Sequence, residues 1–99
     1  MKITAITDSD TALAFRLAGI DTLIPPRPEN TANLLKEVAG RPDIGIVLIT
    51  ERLAKAARKE IEKISHERHL PLFMEIPDMK GPLGKRLSAT ERMAAIIRR

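Results

Sequence analysis

Two apolar patterns alternate along this chain. Residues 2–7, 21–24, 44–49 and 72–76 are short, largely β-branched or aliphatic runs bounded by turn-forming residues, and they read as strands. Between them apolar residues recur three or four positions apart, which predicts helices. The first strand runs into Asp8-Ser9-Asp10, side chains suited to a turn and a helix N-cap. Leu13, Leu17, Ala14 and Ala18 then fall at helical spacing, and Gly19 is placed to end the helix in a left-handed conformation. Phe15 lies off that stripe, which implies a helix buried on more than one side.

The second strand, 21–24, is stopped by Pro25, Pro26 and Pro28, which cannot donate to a ladder. Asn30 or Thr31 can cap the next helix, which runs through Leu34, Leu35 and Val38 and ends at Gly40 and Pro42. Ile44-Gly45-Ile46-Val47-Leu48-Ile49 is almost continuously apolar, the pattern of a strand covered on both faces at the centre of a parallel sheet. Thr50 caps the longest predicted helix, 51–69. It carries Ala54, Ala57, Ile61 and Ile64 on one face, with Lys55, Arg58, Lys59, Glu62 and Lys63 on the other. Strands alternating with helices at this spacing imply βαβ crossovers. The expected fold class is therefore α/β, a small four-stranded parallel sheet flanked by helices on both faces, of receiver-like or Rossmann-like type.

Beyond Pro77 the pattern changes, and the chain divides into an α/β domain over 1–77 and a C-terminal segment over 78–99. Asp78 to Leu87 contains two glycines and a proline and reads as a linker leaving the sheet. Ser88 with Glu91 three residues later fits a capping box, which opens a short helix carrying Met93, Ile96 and Ile97. A helix this short is not stable alone in water, so its apolar side needs a surface on the body or on another chain. The formal charge of +4 belongs to this segment. Residues 1–77 hold eleven Lys or Arg and eleven Asp or Glu, whereas 78–99 holds six basic residues against two acidic ones.

These features restrict the chemistry. The 99 residues make one small domain, 43% hydrophobic and 30% charged, too apolar for a disordered chain. With no cysteine there is no disulfide, thiolate metal site or thiol nucleophile. The start, Met1 to Thr7, meets Asp8 too early for a signal-peptide core, and no run approaches membrane-spanning length, so a cytoplasmic protein is expected.

Asp8 and Asp10 are the most suggestive acidic pair. Open α/β sheets place ligands beyond the carboxyl ends of their strands, and paired carboxylates can hold Mg²⁺ there, as in response-regulator receivers. A receiver also needs an acceptor aspartate after its central strand and a lysine after a fifth strand. Here the central strand leads into Thr50-Glu51 and the last one into Pro77-Asp78, so cap and turn roles are preferred for Asp8 and Asp10. His66 and His69, three apart on one predicted helix, lack a third ligand and read as exposed residues near a helix end. The glycines form neither GxGxxG nor GxxxxGK[ST], and Ser9, Ser65 and Ser88 lack nucleophile-elbow neighbours. No catalytic residue, metal or cofactor is assigned.

The basic segment has three readings: docking to an acidic partner surface, a solvated tail, or a phosphate-contacting arm on nucleic acid. Phe15 and Phe73, the two aromatic residues, lie in predicted core elements and provide no stacking platform, which favours docking.

The stretches MKITAITDSDTALAFRLAGI, DIGIVLITERLA and LPLFMEIPDMKGPLG, in this order, resemble the F subunit of archaeal and bacterial V/A-type ATPases. The most specific parts are Phe15-Arg16-Leu17-Ala18-Gly19, Ile49-Thr50-Glu51-Arg52 and Glu75-Ile76-Pro77. The resemblance implies a four-stranded receiver-like domain whose C-terminal segment forms the central rotor shaft with the coiled-coil D subunit. It implies a non-catalytic role in a complex that couples ATP turnover to ion transport, ATP being handled by the A and B subunits, which the tail can reach. Such a protein would touch a membrane only indirectly, through the complex, and would have no nucleic acid partner. Joining this to the apolar and basic positions of the tail, Lys85, Arg86, Arg92, Met93, Ile96, Ile97, Arg98 and Arg99 are the expected partner-binding residues. The linker would let the helix take extended and retracted positions. A receiver-like signalling or phosphate- and Mg²⁺-binding module is the alternative.

Overall fold

The computed structural model describes residues 1–78. Strand β1 (Lys2–Ile6) leads into helix α1 (Ser9–Leu17), and β2 (Asp21–Leu23) leads through a 3-10 turn, Pro28–Asn30, into α2 (Thr31–Ala39). Strand β3 (Ile44–Thr50) is followed by two short helices, α3 (Glu51–Ala56) and α4 (Arg58–Glu67), and by β4 (Leu72–Ile76). All pairings are parallel, in the order β2-β1-β3-β4. The predicted α/β class and four-stranded parallel sheet are thus the observed ones.

The strand order explains how the helices are distributed. Steps from β1 to β2 and from β2 to β3 run in opposite directions across the sheet, and right-handed crossovers then put α1 on one face and α2 on the other. The step from β3 to β4 continues in the second direction, so α3 and α4 join α2. The core has this arrangement: Ile6, Val47 and Ile49 from the sheet pack with Leu35 and Val38 of α2, Leu53 and Ala54 of α3, and Ile61 and Ile64 of α4. Leu23 and Phe73 extend the same layer at its two edges.

Several expected details differ. Residues 51–69 do not form one helix: Ala57 adopts φ −121° and ψ 26°, and a second helix restarts at Arg58. No glycine or proline marks the break, and Ala57 itself is buried in the core, so packing rather than propensity sets it. The second helix ends at Glu67 because Arg68 is extended, its guanidinium donating to the Ala39 carbonyl at 2.6 Å. The expected caps of α2 and α3 also differ. Neither Asn30 nor Thr50 makes a side-chain cap bond, and α2 is instead entered through the 3-10 turn. The stripe expected to bury α1 faces solvent, with Leu13 63% and Leu17 80% exposed, while Thr11, Ala12 and part of Phe15 are turned inward. Gly19 fulfils its expected role, with φ +83° just past the helix.

Candidate functional site

In an open α/β sheet the carboxyl ends of the central strands are where a ligand would sit, so Thr7, Asp8, Asp10 and Thr50 are the groups to test. Thr7 follows β1 fully buried, its hydroxyl donating to the Asp8 carbonyl at 2.8 Å and its amide to the Leu23 carbonyl at 3.0 Å. Asp8 accepts from the Thr11 amide at 2.7 Å, which makes it the N-cap of α1. Asp10 is exposed in the first turn of the same helix, where a negative charge opposes the positive end of the helix dipole. The two carboxylates therefore serve the helix start, as their sequence context predicts.

The central strand β3 does not end in an acidic acceptor. Thr50 closes it, fully buried, with a hydroxyl that has no hydrogen-bond partner among the described residues. The residue after β4 is Pro77. Among the described residues no three His, Cys, Asp or Glu side chains come together in a way that could hold a metal ion. His66 lies in the last turn of α4 while His69 lies beyond the helix end, so the two do not share a helix face. Because Asp8 is a cap, Asp8→Ala should lower stability by about 1 kcal/mol in urea unfolding, whereas Asp10→Ala costs less. A Mg²⁺ titration followed by NMR should then leave the Thr7 to Thr11 amides unshifted.

Two ion pairs fix the far edge of the sheet to the helices. Arg58 at the start of α4 makes a two-pronged bond to Glu75 of β4, one prong at 2.8 Å, and this bond raises the guanidinium above its ordinary pKa. A raised basic group stabilises the fold below its unfolded pKa and loses that contribution above it, and for an arginine that window lies far above neutral pH. Arg52 of α3 donates from Nε to Asp78 at 2.9 Å. The Asp78 side chain is buried, and so is Pro77 before it. The first residue of the expected linker is therefore held against α3.

Sequence reasoning missed a surface on the sheet itself. Parallel bridge partners share a face, so Ile3, Ile46 and Leu72 form one row, and Ala5, Leu48 and Met74 the next. Apart from Ala5 these residues are exposed or half-buried, Leu72 at 57% and Met74 at 54%, and none belongs to the core cluster. The signal that could have found it is the strand order, which leaves α1 alone on this face and over β1 and β2 only. The anticipated two-sided burial of β3 is thus realised on one side. Lys85, Arg86, Arg92, Met93, Ile96, Ile97, Arg98 and Arg99 lie outside the described residues.

Fold and site together define a small receiver-like α/β domain whose strand-end carboxylates serve a helix start and whose open sheet face is apolar. Comparison with known families narrows this class. Residues 3–93 match the family described as ATP synthase (F/14-kDa) subunit, and the chain belongs to that family. It is 42% identical over 86 residues to the F subunit of the A-type ATP synthase of Thermococcus kodakarensis, covering 82% of this chain and 78% of that protein. It is 36% identical over 104 residues to the protein of the same name in Thermococcus sibiricus, covering 100% of this chain and 92% of the relative. The relative in Methanococcus vannielii is 32% identical over 84 residues, covering 84% and 80%. The resemblance read in the three sequence stretches is borne out.

Proposed function

We propose that this chain is a central-stalk component of a V/A-type rotary ATPase or ATP synthase, a non-catalytic adaptor that binds a coiled-coil D subunit and helps couple ATP turnover to ion transport. The observation that carries the reading is the family membership across residues 3–93, the same span that includes most of the basic C-terminal segment. The chemistry of the body agrees with it. The carboxylates at the carboxyl end of the sheet serve a helix cap, and what the surface offers a partner is apolar side chains and, in the tail, arginines.

In this reading residues 1–77 are the docking body and 78–99 a segment whose Met93, Ile96 and Ile97 bury against partner subunits. Arg92, Arg98 and Arg99, with Lys85 and Arg86, steer it onto acidic surface, an attraction that weakens as salt rises. Movement of the segment between extended and retracted positions would make it a regulatory element reaching the A and B subunits. The complex would hold the protein at a membrane from the cytoplasmic side without its entering the bilayer, and no helix of the described residues is long and apolar enough to cross one.

Co-purification with a D-like coiled coil of the same organism tests the proposal, comparing the full chain with one truncated after Pro77. A stable complex that truncation weakens supports the stalk role and puts part of the interface in the tail. A complex indifferent to truncation moves the interface to the body, and no complex at all rejects the reading.

A further inference from the structure

Strands β1 and β3 are paired on both sides, whereas β4 is paired on one. Among the described residues no strand lies beyond it in the order β2-β1-β3-β4, so a row of its backbone N–H and C=O groups points outward. Such an edge is a template for another strand, and native sheets guard it with charges, bulges, proline or shortness. The β2 edge has that protection, being three residues long and starting at Asp21. The β4 edge has little of it. Its one charge, Glu75, is held by Arg58 of the same chain, its pairing with β3 runs without a register shift, and Pro71 and Pro77 stand just outside its ends.

The side chains of β4 indicate which strand fits. Leu72, Met74 and Ile76 lie on the open face, in rows with Ile46, Leu48 and Thr50, while Phe73 and Glu75 lie on the helix-covered face. Set antiparallel to a second copy with the two Met74 residues opposite each other, Leu72 meets Ile76 and Phe73 meets Glu75. All five residues are then paired. Pro71 falls opposite Pro77, past the ends of the ladder, where a missing N–H removes no bond within it. Centring the pair on Glu75 would instead bring two carboxylates together, and centring it on Phe73 would leave Glu75 and Ile76 facing Pro71 and Leu70, outside the strand. The symmetric arrangement also closes, because each copy uses its β4 edge once and no third copy can add there.

We infer that the free chain forms a twofold-symmetric dimer in which the β4 edges of two copies pair antiparallel about Met74. The product is one eight-stranded sheet, with the helices α2, α3 and α4 of both copies on one side and the two open apolar half-faces adjoining on the other. The dimer and the stalk role are independent, and neither requires the other.

Sedimentation velocity of the full chain from about 1 µM to about 1 mM should show monomer passing to dimer with no larger species. Met74 is more than half exposed, so Met74→Lys should keep the amide NMR dispersion of the parent monomer. It sets two cations opposite each other on the symmetry axis and should weaken the dimer by at least about tenfold. Because the chain has no cysteine, single replacements read the register. Met74→Cys should give a disulfide-linked dimer on mild oxidation, Leu72→Cys should give none on the same timescale, and Leu72→Cys combined with Ile76→Cys should restore crosslinking. A chain monomeric over the whole range, a dimer indifferent to Met74→Lys, or crosslinking as fast with Leu72→Cys as with Met74→Cys overturns the inference.

Discussion

Leu35→Ala should lower the stability of the domain by about 3 kcal/mol, the largest effect expected of a single truncation in this body. Leu35 is fully buried, at the centre of α2, and belongs to the layer formed by Ile6, Val47 and Ile49 of the sheet and the α3 and α4 side chains beside it. The two other helices on that face are short, six and ten residues, and are held by the same cluster. A cavity there cannot be closed by a local shift of one helix without uncovering another. In a domain of this size the loss corresponds to a fall in Tm of roughly 15 °C. Urea or thermal unfolding followed by circular dichroism checks it. Leu13→Ala is the natural comparison: the same change on the exposed side of α1 should cost well under ~1 kcal/mol.

The largest functional effect is expected at the other end of the chain. Replacing Met93, Ile96 and Ile97 together with serine should weaken binding to the proposed coiled-coil partner by on the order of a hundredfold, about 3 kcal/mol. Apolar anchors buried at the centre of an interface carry most of its energy, and these three are the only large apolar residues after Leu87. Replacing Arg92, Arg98 and Arg99 with glutamine should act differently, slowing association and flattening the salt dependence more than it speeds dissociation. Surface plasmon resonance at two salt concentrations distinguishes the two patterns. Equal affinities for the serine variant and the parent chain would take the interface away from this segment. Far-UV circular dichroism of both variants should match the parent chain if the body over 1–78 folds without these residues, which checks that the change is one of binding.

The candidate site was legible where its chemistry is local. The N-cap role of Asp8 depends on a backbone amide three residues away, and the left-handed turn at Gly19 on one residue's φ, so both could be read directly. That β3 ends without an acidic acceptor was equally plain at Thr50. What could not be read was which neighbour covers a periodic stripe. Leu13 and Leu17 keep helical spacing and yet face solvent, because periodicity identifies a face of the helix without saying what lies against it. Residues 51–69 failed in the opposite way. Their spacing is consistent with one continuous helix, and the break at the buried Ala57 comes from how α3 and α4 fit the sheet.

The sequence by itself determined the alternation of strands and helical segments over 1–77, the parallel α/β class, the uneven placement of charge and, through three matching stretches, the family. These follow from short-range rules: side-chain period, capping geometry, and the backbone freedom of glycine and proline. Only the tertiary structure decided the strand order β2-β1-β3-β4, and with it the bare apolar half-face and the burial of Asp78 against Arg52. Strand order is set by which long-range pairings bury the most surface together. That is a property of all the elements at once, which no window of neighbouring residues contains.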